Sequence, residues 1–365
     1  MKIVIFGLSI TSSWGNGHAT TFRALCHALH RRGHRIVFFE RNQEWYQSNR
    51  DLPEPPFCDI RIFRAWPEIV PAVRAELRRA DLAMVGSYFP DGVAALDEVI
   101  ESNVAVKTFY DIDTPITVGH LTKFGATDYL LRRHLSELDV YFSFTGGPLL
   151  QDLKRTFGVR FAVPLYCSVD PEKHRELILR HEFEWDLSYM GTYAPDRQPK
   201  LEELLCRPAL ALPRSKFIVA GPQYPRALEW PANVERLAHV SPRHHASFYC
   251  SSRLTLNVTR REMVMAGYSP SVRLFEAAAC AATIVSDNSP GLETFFIPGK
   301  EILLANQKED IKGYITGYDH AELRRIGRSA CDRVLADHTS DIRAREFEQA
   351  VEAASAKKKR LAAEK

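Results

Sequence analysis

The fold of this chain is decided by the stretch Ser269-Pro270-Ser271-Val272-Arg273-Leu274-Phe275-Glu276-Ala277-Ala278-Ala279-Cys280, followed after one residue by Ala282-Thr283-Ile284-Val285-Ser286-Asp287. It predicts a loop, a helix with Ser271 at its N-cap, and then a short buried strand. A serine hydroxyl at that position can accept hydrogen bonds from the free amides of the first helical turn. One face of the predicted helix is apolar, so we expect it to pack on a sheet. That face carries Val272, Phe275, Ala279 and Cys280.

Arg273 and Glu276 lie three residues apart near the positive end of this helix. One interpretation is a site for a phosphate-bearing ribose ligand. The arginine and the helix amides would meet phosphate, and the carboxylate would accept hydrogen bonds from ribose hydroxyls. The other interpretation is an ordinary surface ion pair at helical spacing. The spacing by itself leaves both open.

Length and composition bound the class of protein. A chain of 365 residues is longer than one hydrophobic core comfortably serves, which favours two domains. The formal charge of +3 is too small to indicate a nucleic-acid partner, and no apolar run approaches the ~18 residues of a membrane span. Seven scattered cysteines without a CxxC pair are typical of reduced thiols and favour a cytoplasmic location.

The N-terminal half begins with an apolar strand at Lys2–Phe6, a long loop to His18, a helix and a second strand. This order is the start of a Rossmann-like sheet, but the loop lacks the GxGxxG spacing of a dinucleotide site. We therefore expect it to be an acceptor or cleft loop, formed by Trp14, Gly15, Asn16 and Gly17. His18 at its end is either a catalytic base or a capping, structural histidine.

Two carboxylates, Asp111 and Asp113, follow the predicted strand at 104–110. Loops after parallel strands meet at the ligand edge of the sheet, so one of them could orient an acceptor hydroxyl or serve as a base. Capping of the segment before Pro115 is the equally open alternative. Two aspartates in one turn are weak support for a metal site, and none is predicted.

The alternation of strands and helices breaks near residue 168 and then restarts. Three loops after strands of the second half carry residues suited to phosphate: Gly191 to Arg197, Gly221-Pro222, and Asn257 to Arg260. The predicted fold is α/β, with two Rossmann-like doubly wound domains facing across a cleft. The domains are 1–168 for the acceptor, 169–338 for the nucleotide sugar, and a C-terminal helix with a basic, frayed tail over 339–365.

Several motifs together resemble the GT-B glycosyltransferases, and among them the CgeB-like spore-maturation/glycosyltransferase family. They are 12–20, 111–115, 144–148, 190–193, 196–198, 256–260, 267–280, 286–287, 290–292 and 298–303. The resemblance implies a nucleotide-sugar donor in the second domain, an acceptor in the first, and a C-terminal helix that can cross back to the first domain. It assigns the ribose contact to Glu276, and the diphosphate contact to Arg260 and Arg197.

The candidate donor-binding residues are Gly191, Thr192, Tyr193, Arg197, Gly221, Pro222, Asn257, Arg260, Ser269, Pro270, Ser271, Arg273 and Glu276. The candidate catalytic residues are His18, Asp111 and Asp113. Many GT-B members have a second glutamate eight positions before the ribose one, where this chain has Tyr268. The choice between retention and inversion therefore stays open.

The predicted function is metal-independent transfer of a hexose-type sugar from a nucleotide-diphosphate sugar, a UDP-sugar being favoured, to a saccharide, lipid or protein acceptor. No cofactor is expected beyond the donor. A lipid acceptor would place the protein peripherally at the inner membrane. The alternatives are a nucleotide-sugar epimerase or hydrolase on the same fold, and a non-catalytic envelope or spore-associated protein.

Overall fold

The computed structural model describes residues 1–14, 17–178 and 183–363. It divides into two compact units. The first comprises Met1–Tyr166 with Ser340–Lys365, and the second comprises Cys167–Thr339. Both transitions lie within two residues of the boundaries expected from the sequence.

The first unit is built on a parallel seven-stranded sheet in the order β3-β2-β1-β4-β5-β6-β7. The strands are β1 Lys2–Phe6, β2 Arg35–Arg41, β3 Asp59–Phe63, β4 Leu82–Gly86, β5 Val106–Asp111, β6 Val140–Ser143 and β7 Ala162–Pro164. The helices before the junction are α1 Gly17–Arg31, α2 Glu44–Gln47, α3 Trp66–Leu77, α4 Gly92–Glu101, α5 Thr114–Phe124, α6 Arg132–Leu135 and α7 Pro148–Phe157. The order reverses at β1 and β4, which is the doubly wound pattern.

The second unit has a parallel six-stranded sheet in the order β10-β9-β8-β11-β12-β13. The strands are β8 Trp185–Met190, β9 Phe217–Ala220, β10 Val234–Leu237, β11 Ser252–Asn257, β12 Ile284–Ser286 and β13 Leu303–Leu304. The helices are α8 Gln198–Leu201, α9 Arg207–Ala211, α10 His245–Cys250, α11 Arg261–Ala266, α12 Val272–Ala279, α13 Lys308–Gly317 and α14 His320–Asp337. A π-helical turn at Glu202–Cys206 joins α8 to α9.

Burial explains these elements. Strands β1 and β4 carry continuous apolar runs that are covered on both faces, as expected in the middle of a parallel sheet. In the first unit Phe6 stacks on Phe39 with ring centroids 5.0 Å apart, inside a core that helices α3 and α4 cover. In the second unit a separate core surrounds Leu187, Leu254 and Phe217.

The C-terminal helix α15, Ser340–Ala363, belongs to the first unit. Phe347 is fully buried and its ring stacks on Phe142 at 5.1 Å. Glu348 accepts two hydrogen bonds from Arg32, at 2.8 and 2.6 Å. Lys358 donates to Asp139 at 3.1 Å, and the helix continues past it. The expectation of a frayed basic tail is therefore wrong over these residues, because Lys358 contacts the sheet end.

Some predicted boundaries are also wrong. The apolar spacing predicts a helix over 71–80 and another over 128–138. Pro71 instead lies inside α3, and the second region contains only the single turn α6. The edge strands β3 and β10 escaped detection because partly exposed edge strands lack a strong apolar pattern. The fold class is confirmed, since each unit is a doubly wound, Rossmann-like α/β sheet. Within the described residues, every helix is too short or too polar to cross a membrane.

Phe347→Ala should destabilise the first unit by about 3–5 kcal/mol, because a fully buried aromatic ring leaves a cavity against Phe142. Chemical denaturation followed by circular dichroism measures the change. Glu352→Ala, on an exposed position of the same helix, is the matched control and should shift the free energy of unfolding by no more than about 0.5 kcal/mol. Equal effects of the two changes would contradict docking through Phe347.

Candidate functional site

Helix α12 begins where the sequence predicts, with Ser271 at the N-cap in an extended backbone conformation. Its hydroxyl makes no capping hydrogen bond, so that part of the prediction is wrong. The loop before the helix is held by its backbone instead. The amide of Tyr268 donates to the carbonyl of Pro290 at 2.7 Å, and the carbonyl of Pro270 accepts from the thiol of Cys167 at 3.3 Å. The turn contains two left-handed residues, Gly267 (φ 67°) and Tyr268 (φ 48°).

Arg273 is buried, and its guanidinium joins the ends of two strands. It donates to the carbonyl of Met190 at the end of β8 and to Asn257 Oδ1 at the end of β11, the latter at 2.7 Å. The guanidinium also lies over the ring of Tyr189, 5.0 Å from its centroid. The surface-pair interpretation of Arg273 and Glu276 is therefore wrong, since both side chains are buried and contact other partners.

The loops after β8 and β9 contain Gly191 and Gly221, and neither position has room for a side chain. A Cβ atom on Gly191 would lie 2.7 Å from Tyr189 Oη and 2.8 Å from Arg273 Nη2. On Gly221, whose φ is +147°, a Cβ atom would lie 2.0 Å from the carbonyl oxygen of Gly191. The Tyr193 amide donates to the carbonyl of Pro222 at 3.0 Å, so the two predicted donor loops are in contact.

Arg197 and Arg260 contact the same β8 loop. Arg197 donates to the carbonyl of Thr192 at 2.6 Å, while its Nε is buried without a hydrogen-bond partner. Arg260 Nε lies 3.7 Å from a carboxylate oxygen of Asp196. Burial raises the pKa of the Tyr224 hydroxyl. The nearby charges of Arg197 and Arg273 lower that pKa and so partly offset the effect of burial. Two arginines predicted for the donor phosphates therefore lie at one edge of the sheet.

The sequence did not reveal Arg236, whose guanidinium lies between two aromatic rings at the same edge. Its carbon is 4.1 Å from the ring centroid of Tyr224 and 4.8 Å from that of Trp230. Arg236 donates to the carbonyls of Val219 and Gly221.

Glu276 is only 4% exposed and faces three side chains. Its Oε2 accepts from the hydroxyl of Tyr249 at 3.2 Å, and its two oxygens lie 3.7 Å from His174 Nε2 and 3.9 Å from His245 Nδ1. Burial lowers the pKa of His174, which the Glu276 carboxylate partly offsets. Sequence reasoning missed both histidines, because they are distant in the chain and carry no motif spacing.

In the first unit the structure brings His18 and Asp113 near each other. His18 is buried at the start of α1, and its Nδ1 has no hydrogen-bond partner in the part of the chain that the structure describes. Burial lowers the pKa of His18, while the Asp113 carboxylate raises it. The His18 ring meets Tyr88 edge-on at 5.4 Å. Tyr88 has φ +61°, which is costly for a non-glycine residue and is often found at functional sites.

Asp111 occupies a different environment. It is fully buried and accepts from the hydroxyl of Tyr141, from that of Thr117 at 2.9 Å, and from the amide of Asp113 at 3.2 Å. Burial raises the pKa of Asp111 to about 7. The oxygens of Asp111 are enclosed by these donors, and its catalytic role stays a prediction. Asp113 is the N-cap residue of α5, but its side chain makes no capping bond.

The predicted cleft loop is only partly described. Trp14 is half-buried and Gly17 is exposed at the start of α1, whereas Gly15 and Asn16 lie outside the described residues. The loop before them is anchored by Glu40, which accepts from the amides of Ile10 and Thr11 at 2.6 and 3.0 Å. Sequence reasoning assigned no role to this buried carboxylate.

Comparisons with known proteins agree with this architecture. Residues 197–349 match the family described as Glycosyl transferase-like. A search of curated protein sequences gave no match.

Three solved structures share the fold. Sucrose-phosphate synthase from Thermosynechococcus elongatus has a TM-score of 0.72 and 13% identity, with 96% of this chain and 98% of that chain covered. Anabaena HepE in complex with UDP-glucose has a TM-score of 0.66 and 13% identity, with 97% and 100% covered. An alpha-glucosyltransferase in complex with UDP-glucose and DNA has a TM-score of 0.68 and 12% identity, with 96% and 98% covered. The fold is that of the GT-B glycosyltransferases.

Gly191→Ala should destabilise the second unit by about 1–3 kcal/mol, because the new methyl group meets Tyr189 and Arg273 below van der Waals distance. Thermal and urea unfolding measure the loss. Gly313→Ala is the matched control, since its Cβ atom meets nothing within 4 Å and alanine favours the interior of α13. A neutral Gly191→Ala would contradict the close approach.

Asp111→Asn should flatten the pH dependence of stability between about pH 4 and 7. In the wild type the folded-state pKa of about 7 lies above the unfolded value of about 3.9. The contribution of the protonated carboxyl is thus complete below pH 4 and is lost as the pH rises through 7. Unfolding free energies of both proteins across this range test the expectation. Parallel curves would show that Asp111 does not titrate there.

Proposed function

We propose that the protein is a glycosyltransferase that transfers a hexose from a UDP-sugar to a hydroxyl-bearing acceptor. The observation that supports this most is the convergence of Arg197, Arg260 and Arg273 at one sheet edge, inside or beside the segment that matches the Glycosyl transferase-like family. Structures of the same fold that were solved with UDP-glucose favour UDP as the nucleotide. We also place the chain in the CgeB-like group and in the cytoplasm.

The diphosphate of the donor is the group that needs most stabilisation, because negative charge grows on it as the sugar leaves. In this proposal Arg197 and Arg260 bind it. The buried Nε–H of Arg197 has no hydrogen-bond partner among residues 1–14, 17–178 and 183–363, so an anion at this edge would satisfy it. Guanidinium groups and helix amides can stabilise a leaving diphosphate without a metal ion.

Arg273 has a supporting role, since its guanidinium already bonds Met190 and Asn257. It holds the ends of β8 and β11 together and so fixes the conformation of the loop that contains Gly191. We assign to Glu276 the contact with the ribose hydroxyls of the donor, because of its position in the motif at 267–280 that resembles GT-B glycosyltransferases. The carboxylate is buried beside Tyr249, whose hydroxyl donates to it at 3.2 Å.

The acceptor is assigned to the first unit. The lowered pKa keeps His18 neutral near pH 7, so that an imidazole lone pair can take the acceptor hydroxyl proton in an inverting transfer. The Asp113 carboxylate would then stabilise the imidazolium. In a retaining transfer the leaving phosphate takes this proton, and His18 serves only to orient the acceptor.

Arg260→Ala should weaken UDP binding by about 10- to 100-fold and leave uridine binding unchanged, because a charge-assisted hydrogen bond to phosphate contributes about 1.5–3 kcal/mol. Isothermal titration calorimetry with UDP and uridine separates the two. Arg214→Ala, an exposed arginine of the same unit, is the control. Equal UDP affinity of wild type and Arg260→Ala would remove Arg260 from the diphosphate site.

Transfer itself is tested by release of UDP from UDP-glucose with and without candidate acceptors. Acceptor-dependent release that persists in EDTA supports a metal-independent transferase. Release that never depends on an acceptor would support a hydrolase or an epimerase instead. A protein that binds no nucleotide sugar would contradict the proposal altogether.

A further inference from the structure

Three side chains of the second unit converge around the carboxylate of Glu276. His174 comes from the segment before β8, His245 begins α10, and Glu276 lies in α12. One ligand atom from each lies within 4.8 Å of the others. Glu276 Oε1 is 3.7 Å from His174 Nε2, and its Oε2 is 3.9 Å from His245 Nδ1. These separations are too long for hydrogen bonds, so the three groups face one another without satisfying one another.

His174 makes this arrangement unusual. Its side chain is 7% exposed, and neither ring nitrogen has a hydrogen-bond partner among the described residues. A buried imidazole that makes no hydrogen bond loses the free energy of its hydration without compensation. Buried polar atoms left unpaired in this way are expected where a ligand or ion belongs.

The tautomer of His245 gives a second, independent indication. Its Nε2 lies 3.2 Å from the carbonyl oxygen of Val240, which can only accept, so Nε2 carries the proton. In the neutral ring Nδ1 then carries a lone pair, and this nitrogen faces a carboxylate oxygen of Glu276. Histidine ligands of metals commonly donate their other ring N–H to a backbone carbonyl in this way.

We propose that His174, His245 and Glu276 form a binding site for a divalent transition-metal cation, of which Zn²⁺ fits best. Two imidazole nitrogens and one carboxylate are a common zinc donor set, with bonds of about 2.0–2.2 Å. Ligand atoms in such a site are about 3.3 Å apart. The separations here, which reach up to 4.8 Å, would therefore have to contract by as much as about 1.5 Å when the cation binds. Mg²⁺ and Ca²⁺ prefer oxygen ligands and are disfavoured by the two histidines.

The site has a consequence that rests on the proposed function. Glu276 is the carboxylate assigned to the donor ribose, so a bound cation and the nucleotide sugar would compete for it. Zn²⁺ would then inhibit donor binding and would not assist the reaction. Cation binding itself does not depend on this link, because all three ligands come from the protein.

The test uses the full chain dialysed against a chelator and then titrated with Zn²⁺, with the metal counted by mass spectrometry. Wild type should retain about one more equivalent than His174→Phe, which keeps a buried aromatic ring but removes both ligand atoms. Substitution with Co²⁺ should give the visible absorption of a tetrahedral site in wild type alone. His244→Ala, an exposed histidine next to His245, is the matched control and should bind as wild type does.

Equal Zn²⁺ retention by wild type and His174→Phe would overturn the proposal. Loss of the extra equivalent in both His174→Phe and His244→Ala would also overturn it, because exposed histidines would then account for the binding. Thermal unfolding without metal shows whether His174→Phe is folded, and Glu276→Gln provides a second variant that should lose the same equivalent. Failure of UDP binding in wild type would refute the proposed function and leave this result unaffected.

Discussion

The buried guanidinium of Arg273 is the interaction on which the second unit depends. It bonds the last carbonyl of β8 and the side chain of Asn257 at the end of β11, and it covers the ring of Tyr189. A buried cation is costly unless its donors are satisfied, so these partners have little freedom to move. Gly191 has no room for a side chain because this arginine passes beside it.

The first unit uses buried acids in a similar way. Glu40 holds two amides of the loop after β1, and Asp111 gathers two hydroxyl groups and an amide where β5 ends. Both keep polar backbone fixed at the edge of the sheet where His18 and Asp113 lie. The two carboxylates most visible in the sequence therefore differ in surroundings, since Asp111 is buried among hydrogen-bond donors and the charge of Asp113 acts on His18.

Strand and helix periodicity predicted most of the fold, since β1, α7 and α12 have strong apolar patterns and clear N-terminal signals. It missed β3 and β10, which lie at sheet edges. It also extended α6, because the residues before this helix are buried at helical spacing but form a turn closed by the bridge between Ala126 and Leu131. The shared location of the loops after β8, β9 and β11 was predictable, because parallel strands place the loops that follow them at one edge of the sheet. His174, His245 and Tyr88 were not predicted, because no short-range pattern distinguishes them.

The sequence by itself determined the α/β class, the change of unit near residue 168, and the helix start that carries Arg273 and Glu276. These follow from local periodicity, capping residues and chain order, which act within a few residues of one another. Only the tertiary structure decided what each charged side chain contacts. Arg273 could have been a surface residue and Asp111 a catalytic one, and their burial is set by partners dozens of residues away. Desolvation depends on those distant partners, so a local pattern cannot report it.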